Sequence, residues 1–186
     1  MQWNEHYNLA NKHAFLGASK HSWLNYDSDK LVKSYMNAMK KEEGTELHAL
    51  ASDAINHHVK LANLKKALNL FVNDAIGYGL ASEQVLYYSD NCFGTADAII
   101  FKDGLLRIHD LKTGLTPVEK FYQLDIYAAL FCLEYDEDPR KIEIVERLYQ
   151  GRGWTESVPD GDDILTIMNT IVSFDRVLEE AKANTL

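Results

Sequence analysis

The sequence predicts an α/β fold in which helices cover both faces of a mixed central β-sheet. Three observations lead to this prediction: helical periodicity fills the first third, three strand-like segments follow, and a helix, a strand and a helix complete the order. Three layers are the simplest way to bury the apolar faces of such elements. The 186 residues, 46% hydrophobic and 25% charged, are compatible with one core.

The first third carries two helical patterns. Apolar side chains recur at helical spacing over residues 29–39, and again from Gly44 to about Leu70. No repeat, low-complexity segment or Pro/Gly/Ser-rich linker interrupts the sequence. We therefore expect one domain over residues 1–186, made of an N-terminal helical segment (1–43), a core (44–150) and a C-terminal helix (160–184).

Strand-like segments follow at residues 84–88, 95–102 and 105–112, which are rich in β-branched, aromatic and aliphatic side chains. Beyond Pro117, residues 118–133 show helical spacing, which predicts a helix. Residues 141–149 alternate like a strand, and residues 162–183 have the pattern of an amphipathic helix. The strand–helix–strand order again favours a mixed sheet.

Asp103-Gly104 separates two of these strands and predicts a two-residue hairpin turn, because both central positions need a positive φ. Such a turn pairs Lys102 with Leu105. Counting back along both strands places Asp97 opposite Asp110. Side chains alternate along a strand, so Lys112 points to the same face as Asp110.

Like charges placed opposite each other on a sheet are destabilising, so a cation is expected between Asp97 and Asp110. A hard divalent cation such as Mg2+ suits two carboxylates, and Lys112 adds a positive charge on the same face. The alternative is that both aspartates are merely solvated on an exposed sheet face. The pattern alone leaves both interpretations open.

Three further side chains could join this site. Gln123 and Tyr127 lie four residues apart and share one helix face, just after the strand that ends at Lys112. His48 lies near the start of the second helical pattern and could supply a third metal donor. A helix-surface pair and a structural histidine would explain the same residues.

Composition excludes several classes of protein. The formal charge of −9 argues against a broad basic surface for nucleic acid, although it leaves a local basic groove open. The two cysteines have no Cys-x-x-Cys spacing, which excludes a zinc or iron–sulfur site of that kind. No signal peptide or membrane span is apparent, so a cytoplasmic protein is expected.

The spaced residues form four ordered motifs that resemble those of the RecB-like nucleases, in the PD-(D/E)xK or restriction-endonuclease-like superfamily. They are Gly-x-x-x-His at Gly44 and His48, Gly-x-x-Asp at Gly94 and Asp97, Asp-x-Lys at Asp110 and Lys112, and Gln-x-x-x-Tyr at Gln123 and Tyr127. The resemblance covers residues 44 to about 135. It implies the restriction-endonuclease-like three-layer core.

The resemblance also implies roles for these residues. Mg2+, with Mn2+ able to substitute, would be bound by His48, Asp97, Asp110 and the main-chain carbonyl of Leu111. Lys112 would act with Asp97 and Asp110 in catalysis by orienting or activating the attacking water. Gln123 and Tyr127 would support the catalytic site and contact DNA.

Residues 16–24 more faintly resemble the start of phage-type exonucleases of the same superfamily. By that resemblance Ser19 and Lys20 would bind a terminal DNA phosphate, although a helix start capped by Ser19 explains them equally well. The chain departs from relatives that carry an iron–sulfur cluster, since it lacks their four cysteines. It also lacks a Gly-x-x-x-x-Gly-Lys phosphate loop.

The expected function is that of a Mg2+-dependent DNA exonuclease in bacterial or phage recombination and repair. Family likeness implies hydrolysis from DNA ends with 5′-phosphate products. It also suggests a single-strand annealing or other recombination protein as partner, and a homo-oligomer. Two alternatives remain: a catalytically weak module that binds DNA ends or docks a partner, and a structural protein whose hairpin acids are accidental.

Overall fold

The computed structural model describes residues 14–16, 18–114 and 116–184. The chain divides into two compact units, Met1–Thr45 and Glu46–Leu186. The first unit contains a 3-10 helix, Ala18–Asn25, and the beginning of α1, Ser28–Asn56. The second unit contains the rest of α1 and all of the following elements: α2 Ala67–Tyr78, β1 Ala81–Ser89, β2 Cys92–Lys102, β3 Leu105–Lys112, α3 Tyr122–Tyr135, β4 Glu143–Gln150, β5 Gly153–Ser157 and α4 Gly161–Ala183.

A single five-stranded sheet organises the second unit, in the order β1-β2-β3-β4-β5. The pair β3–β4 is parallel and the other three pairs are antiparallel. The long crossover that a parallel pair requires is supplied by α3. The predicted α/β class, with a mixed sheet flanked by helices, is confirmed.

The sheet buries one apolar cluster on each face. Side chains of α3 and α4, such as Leu124 and Ile164, pack with Ile108 and its neighbours on one face. Side chains of α1 and α2, such as Ile55 and Phe71, pack with Leu111 and Tyr149 on the other. This arrangement gives the three layers that the sequence predicts.

The helical boundaries differ from the prediction in the first third of the chain. The two predicted segments merge into α1, but the helix ends at Asn56 rather than near Leu70. His58 has a φ of 54°, and the amides of His58 and Val59 donate to Ile55 and Ala54 at 3.0 and 2.8 Å. A left-handed residue with such hydrogen bonds terminates a helix, and residues 57–66 form a non-helical connection to α2.

The link between β3 and α3 is held by one side chain of β4. The amide nitrogen of Gln150 donates to the carbonyls of Gly114 and Thr116, both at 2.8 Å. The amide oxygen of Gln150 accepts from the Val118 N–H at 3.0 Å. Residues 118–121 are consequently not helical, and α3 starts four residues later than predicted.

Within the described residues, no helix has both the length and the apolar character needed to cross a bilayer.

Candidate metal centre

The hairpin between β2 and β3 has the predicted two-residue turn. Asp103 and Gly104 have φ values of 52° and 77°, and Lys102 pairs with Leu105. The predicted register holds along the ladder as far as Ala98 and His109. Asp97 and Asp110 come immediately after this last pair, at the end of the hairpin that is remote from the turn.

Asp97 is anchored by the main chain of the neighbouring strand. Its Oδ2 accepts a hydrogen bond from the amide of Leu111 at 2.8 Å. The side chain of Asp97 is 14% exposed, so one carboxylate edge stays accessible. The predicted pairing of Asp97 directly opposite Asp110 is not part of the observed ladder, which ends at Ala98 and His109. Asp97 instead accepts from the amide of Leu111.

Asp110 is almost fully buried and is paired with Lys112. The Lys112 Nζ lies 3.2 Å from Asp110 Oδ1, to which it donates, and 2.9 Å from Oδ2. Oδ2 receives no hydrogen bond despite its burial. Burial raises the pKa of Asp110, and the charge of Asp97 adds to this effect, whereas Lys112 opposes it.

A chain of hydrogen bonds continues from Lys112 to α3. Lys112 Nζ donates to Gln123 Oε1 at 2.5 Å, and Gln123 Nε2 donates to the Tyr127 hydroxyl at 3.0 Å. The predicted helix face therefore turns towards the end of β3. Burial raises the pKa of Tyr127, so its hydroxyl stays protonated at neutral pH.

Gly94 leaves room for the ring of Tyr127. A Cβ at this position would lie 2.9 Å from Tyr127 Cε1, closer than such atoms approach in proteins. The glycine of the Gly-x-x-Asp motif is thus needed for the close approach of α3 to β2. The Gly-x-x-Asp motif of β2 and the Gln-x-x-x-Tyr motif of α3 are thus in contact through Gly94 and Tyr127.

His48 approaches the same centre from α1. Its Nδ1 lies 3.3 Å from Asp97 Oδ2, and this interaction is the main reason that the pKa of His48 is raised. One turn later, Ser52 shares a hydrogen bond of 3.0 Å with Ser82 of β1, which fixes the helix against the sheet. The predicted third donor is therefore next to Asp97.

Glu83 was not predicted and completes a group of three potential ligands. Nitrogen or oxygen atoms of His48, Glu83 and Asp97 lie within 4.8 Å of one another. Glu83 lies between the pairs Ser82–Ala98 and Gln84–Ala96, so it faces Asp97 across β1 and β2. The predicted strand began only at Gln84, which left Glu83 outside the sheet. A longer strand with antiparallel pairing would have revealed it.

The backbone at Glu83 is unusual. Its φ is 51°, within a strand, and its pKa is raised by partial burial and then by the charge of Asp97. Positive φ values at non-glycine residues often occur at functional sites. On the opposing strand, Ala96 belongs to the cluster of α3 and α4 and Ala98 to the cluster of α1 and α2. The side chains on either side of Asp97 thus enter different cores.

His109, the neighbour of Asp110, belongs to the other face of the sheet. It is fully buried, and its Nδ1 lies 3.2 Å from the hydroxyl of Tyr149. Burial, with smaller contributions from Arg147 and Arg107, lowers the pKa of His109 to about 3. It is therefore a neutral core residue at physiological pH, and it lies on the strand face opposite Asp110, as the alternation of side chains predicts.

Two predicted DNA contacts cannot be placed. The side chains of Ser19 and Lys20 lie outside the described residues, so their binding of a terminal phosphate stays a prediction. The other predicted site residues, His48, Asp97, Asp110, Lys112, Gln123 and Tyr127, are brought together in the second unit. Leu111 contributes its amide to the same centre.

A protein-family model matches part of the chain. Residues 79–144 match the family described as protein of unknown function DUF2800. The matched range includes Glu83, Asp97, Asp110 and Lys112 together with Gln123 and Tyr127, but it does not include His48. No curated protein and no solved structure matches the chain.

Proposed function

We propose that this chain is a Mg2+-dependent deoxyribonuclease, and that it hydrolyses phosphodiester bonds from DNA ends. The observation that carries this proposal is the hydrogen-bonded series Asp110–Lys112–Gln123–Tyr127 beside the pair of His48 and Asp97. These residues come from all four of the sequence motifs that resemble those of the RecB-like nucleases. If the acids of the hairpin were accidental, no hydrogen-bonded series from Asp110 through Lys112 and Gln123 to Tyr127 would be expected.

The donor set fits a hard divalent cation. Carboxylate and carbonyl oxygens suit Mg2+ or Mn2+, and the imidazole of His48 adds a nitrogen donor of the kind that commonly binds metals in proteins. The buried Oδ2 of Asp110 has the Lys112 ammonium at 2.9 Å but receives no hydrogen bond, and burial, followed by the charge of Asp97, raises the pKa of Asp110. A cation would relieve both unfavourable features. We propose as its ligands His48, Glu83 and Asp97, whose donor atoms lie within 4.8 Å of one another, with Asp110 and the carbonyl of Leu111 as further ligands from β3.

When bound, the ion supplies Lewis acidity to a phosphate oxygen and lowers the pKa of a coordinated water. Lys112 then has a positioning task that its contacts explain. Of its three N–H donors, Asp110 and Gln123 accept two. The third is able to hold the attacking water or a phosphate oxygen. Hydrolysis adds the water oxygen to phosphorus and releases the 3′ oxygen, which leaves a 5′ phosphate.

Gln123 and Tyr127 fix the orientation of Lys112. The Gln123 amide accepts from Lys112 and donates to Tyr127, so its orientation is determined at both ends. The Tyr127 hydroxyl accepts this bond and keeps its own proton for a further acceptor. A phosphate oxygen of the DNA strand is the acceptor that the proposed function provides.

Cleavage of defined DNA substrates tests the proposal. Purified protein would be incubated with linear duplex, single-stranded and closed circular DNA, in the presence of Mg2+ or EDTA. We expect Mg2+-dependent loss of linear DNA with closed circles intact. Cleavage of circles would contradict action from ends, whereas binding without any cleavage would favour the alternative of a DNA-end-binding or partner-docking module.

A matched pair of variants distinguishes this activity from a contaminating nuclease. Asp97→Asn keeps an oxygen that can accept from the Leu111 amide but removes the charge, and it should abolish cleavage. Asp103→Asn alters an exposed carboxylate in the turn of the same hairpin, and it should cleave like the wild type. Equal activity of the two variants would contradict the proposed site.

A further inference from the structure

Glu146 of β4 is a buried acid that lies outside the candidate metal centre. It is fully buried, and neither of its carboxylate oxygens receives a hydrogen bond. Its neighbours in the sheet are Ile108 on β3 and Ser157 on β5, neither of which carries a charge. An ionised carboxylate in such surroundings would be strongly destabilising.

Asp125 of α3 is the acid that acts on Glu146. After burial, the charge and the carboxyl group of Asp125 are what raise the pKa of Glu146. Two ionised carboxylates cannot bond, because neither carries a proton, and this explains the unsatisfied oxygens of Glu146. A single proton on Glu146 would allow it to donate to the half-buried Asp125.

A cation is a poorer explanation of this pair. Asp163, in the first turn of α4, is the third acid nearby, and its charge acts on Asp125. Within the described part of the chain, however, the group of three potential ligands with atoms inside 4.8 Å is His48, Glu83 and Asp97. Glu146, Asp125 and Asp163 do not form a second group of this kind.

The position of Asp125 links Glu146 to the candidate site. Asp125 lies on α3 between Gln123 and Tyr127, the two residues that extend the hydrogen bonds of Lys112. A bond from β4 to Asp125 would hold this turn of α3 against the sheet. The rotation and height of α3 in turn determine where the amide of Gln123 meets Lys112.

We propose that Glu146 is a neutral acid that donates its proton to Asp125 and thereby positions the turn of α3 that carries Gln123 and Tyr127. Glu146 is thus a positioning residue. Its effect on DNA cleavage rests on the proposed function, but its protonation does not. The groups that face Glu146 are Asp125 from α3 and, beyond it, Asp163 from α4; its strand neighbours are uncharged.

Infrared difference spectroscopy tests the protonation. Comparison of the wild type with Glu146→Gln at neutral pH should show the loss of a protonated carboxyl C=O band. Glu143→Gln, an exposed change on the same strand, serves as the matched control and should alter carboxylate bands alone. A Glu146→Gln difference with only carboxylate bands would overturn the proposal, whether or not the protein cleaves DNA.

Kinetics of DNA cleavage tests the positioning. Glu146→Gln keeps a donor for Asp125 and should retain the kcat of the wild type, while Glu146→Leu lacks a donor. For a folded Glu146→Leu protein, checked by circular dichroism, we expect kcat to fall about 10- to 100-fold with little change in KM, the usual effect of a small misplacement. An unchanged kcat would overturn the positioning role. A wild type without any cleavage would instead refute the proposed function and leave the infrared result standing.

Discussion

Asp110 and Glu146 are buried acids on neighbouring strands, and their surroundings differ in one respect. Asp110 is 1% exposed and Glu146 is fully buried, and both point to the face that α3 covers. Asp110 has the ammonium of Lys112 at 2.9 Å, whereas Glu146 faces the carboxyl of Asp125. Burial raises the pKa of both acids, and their neighbours make the difference, because Lys112 opposes the rise at Asp110 whereas Asp125 adds to it at Glu146.

This difference has a functional meaning. An acid with an oxygen that receives no hydrogen bond suits a metal ligand, and Oδ2 of Asp110 is such an oxygen. A neutral acid suits a donor that fixes a helix, which is the role proposed for Glu146. In the proposed roles, one sheet face carries a metal-binding carboxylate and a structural carboxylic acid on adjacent strands.

The largest expected effect concerns the charge of Asp110. Asp110→Asn keeps the size of the side chain but removes a charged ligand, and cleavage of linear DNA should fall about 10³-fold. The rate of DNA cleavage at saturating Mg2+ measures this change. Near-normal activity of Asp110→Asn would show that Asp110 is not a required metal ligand. Asp110 and Glu146 would then both be structural acids.

Removal of Lys112 tests the pairing from the other side. Lys112→Ala leaves the buried carboxylate of Asp110 without its cation and should lower the free energy of unfolding by about 3 kcal/mol in the absence of metal. Chemical denaturation measures this loss. The double variant with Asp110→Asn should recover most of the stability but none of the activity. A double variant as unstable as Lys112→Ala would mean that Lys112 stabilises the fold by packing alone.

The pH dependence of stability tests the neutral state of Glu146. Burial, followed by the charge of Asp125, raises its pKa from 4.5 to about 9. Between these values the folded protein binds more protons than the unfolded chain. Glu146 therefore makes the free energy of unfolding decrease as pH rises through this range, by up to about 1.4 kcal/mol per pH unit. Glu146→Gln should show a flatter pH profile.

Denaturation of the wild type and of Glu146→Gln across this pH range provides the measurement. The difference in stability between the two proteins should be smallest near pH 4.5 and largest near pH 9. The exposed variant Glu143→Gln should follow the wild type at every pH. A constant difference between the wild type and Glu146→Gln would place the pKa of Glu146 near its ordinary value.

The smallest expected effect concerns the acceptor, Asp125. Asp125→Asn keeps an amide oxygen that can accept the proton of Glu146, so stability at pH 7 should change by less than about 1 kcal/mol. Thermal unfolding of the two proteins in parallel would show this. A loss as large as that of Lys112→Ala would mean that Asp125 contributes more to the fold than the one hydrogen bond proposed from Glu146.

The hairpin of the site could be predicted because its signals are local. A two-residue Asp-Gly turn fixes the register of β2 and β3, and regular alternation then places Lys112 beside Asp110. The helix face of Gln123 and Tyr127 follows from spacing within one element. Such features are determined by residues that are close in the sequence, and contacts with distant parts of the chain do not alter them.

The features that escaped prediction depend on distant contacts or on rare backbone geometry. Glu83 becomes part of the site through a left-handed φ within β1 and through pairing with β2. β5 is a five-residue edge strand, too short for a clear alternating pattern. The break after α1 depends on the left-handed His58, which apolar spacing does not reveal.

The hydrogen bonds of Gln150 determine which mutations the link between β3 and α3 can accept. Its side chain makes three hydrogen bonds to the main chain of the link between β3 and α3, and none of them involves a side chain of the link. Substitutions in the link should therefore be accepted readily, whereas an inserted or deleted residue would shift the carbonyls and the amide out of reach. The distance along the chain from Lys112 to Gln123 is accordingly under stronger constraint than the amino acids that fill it.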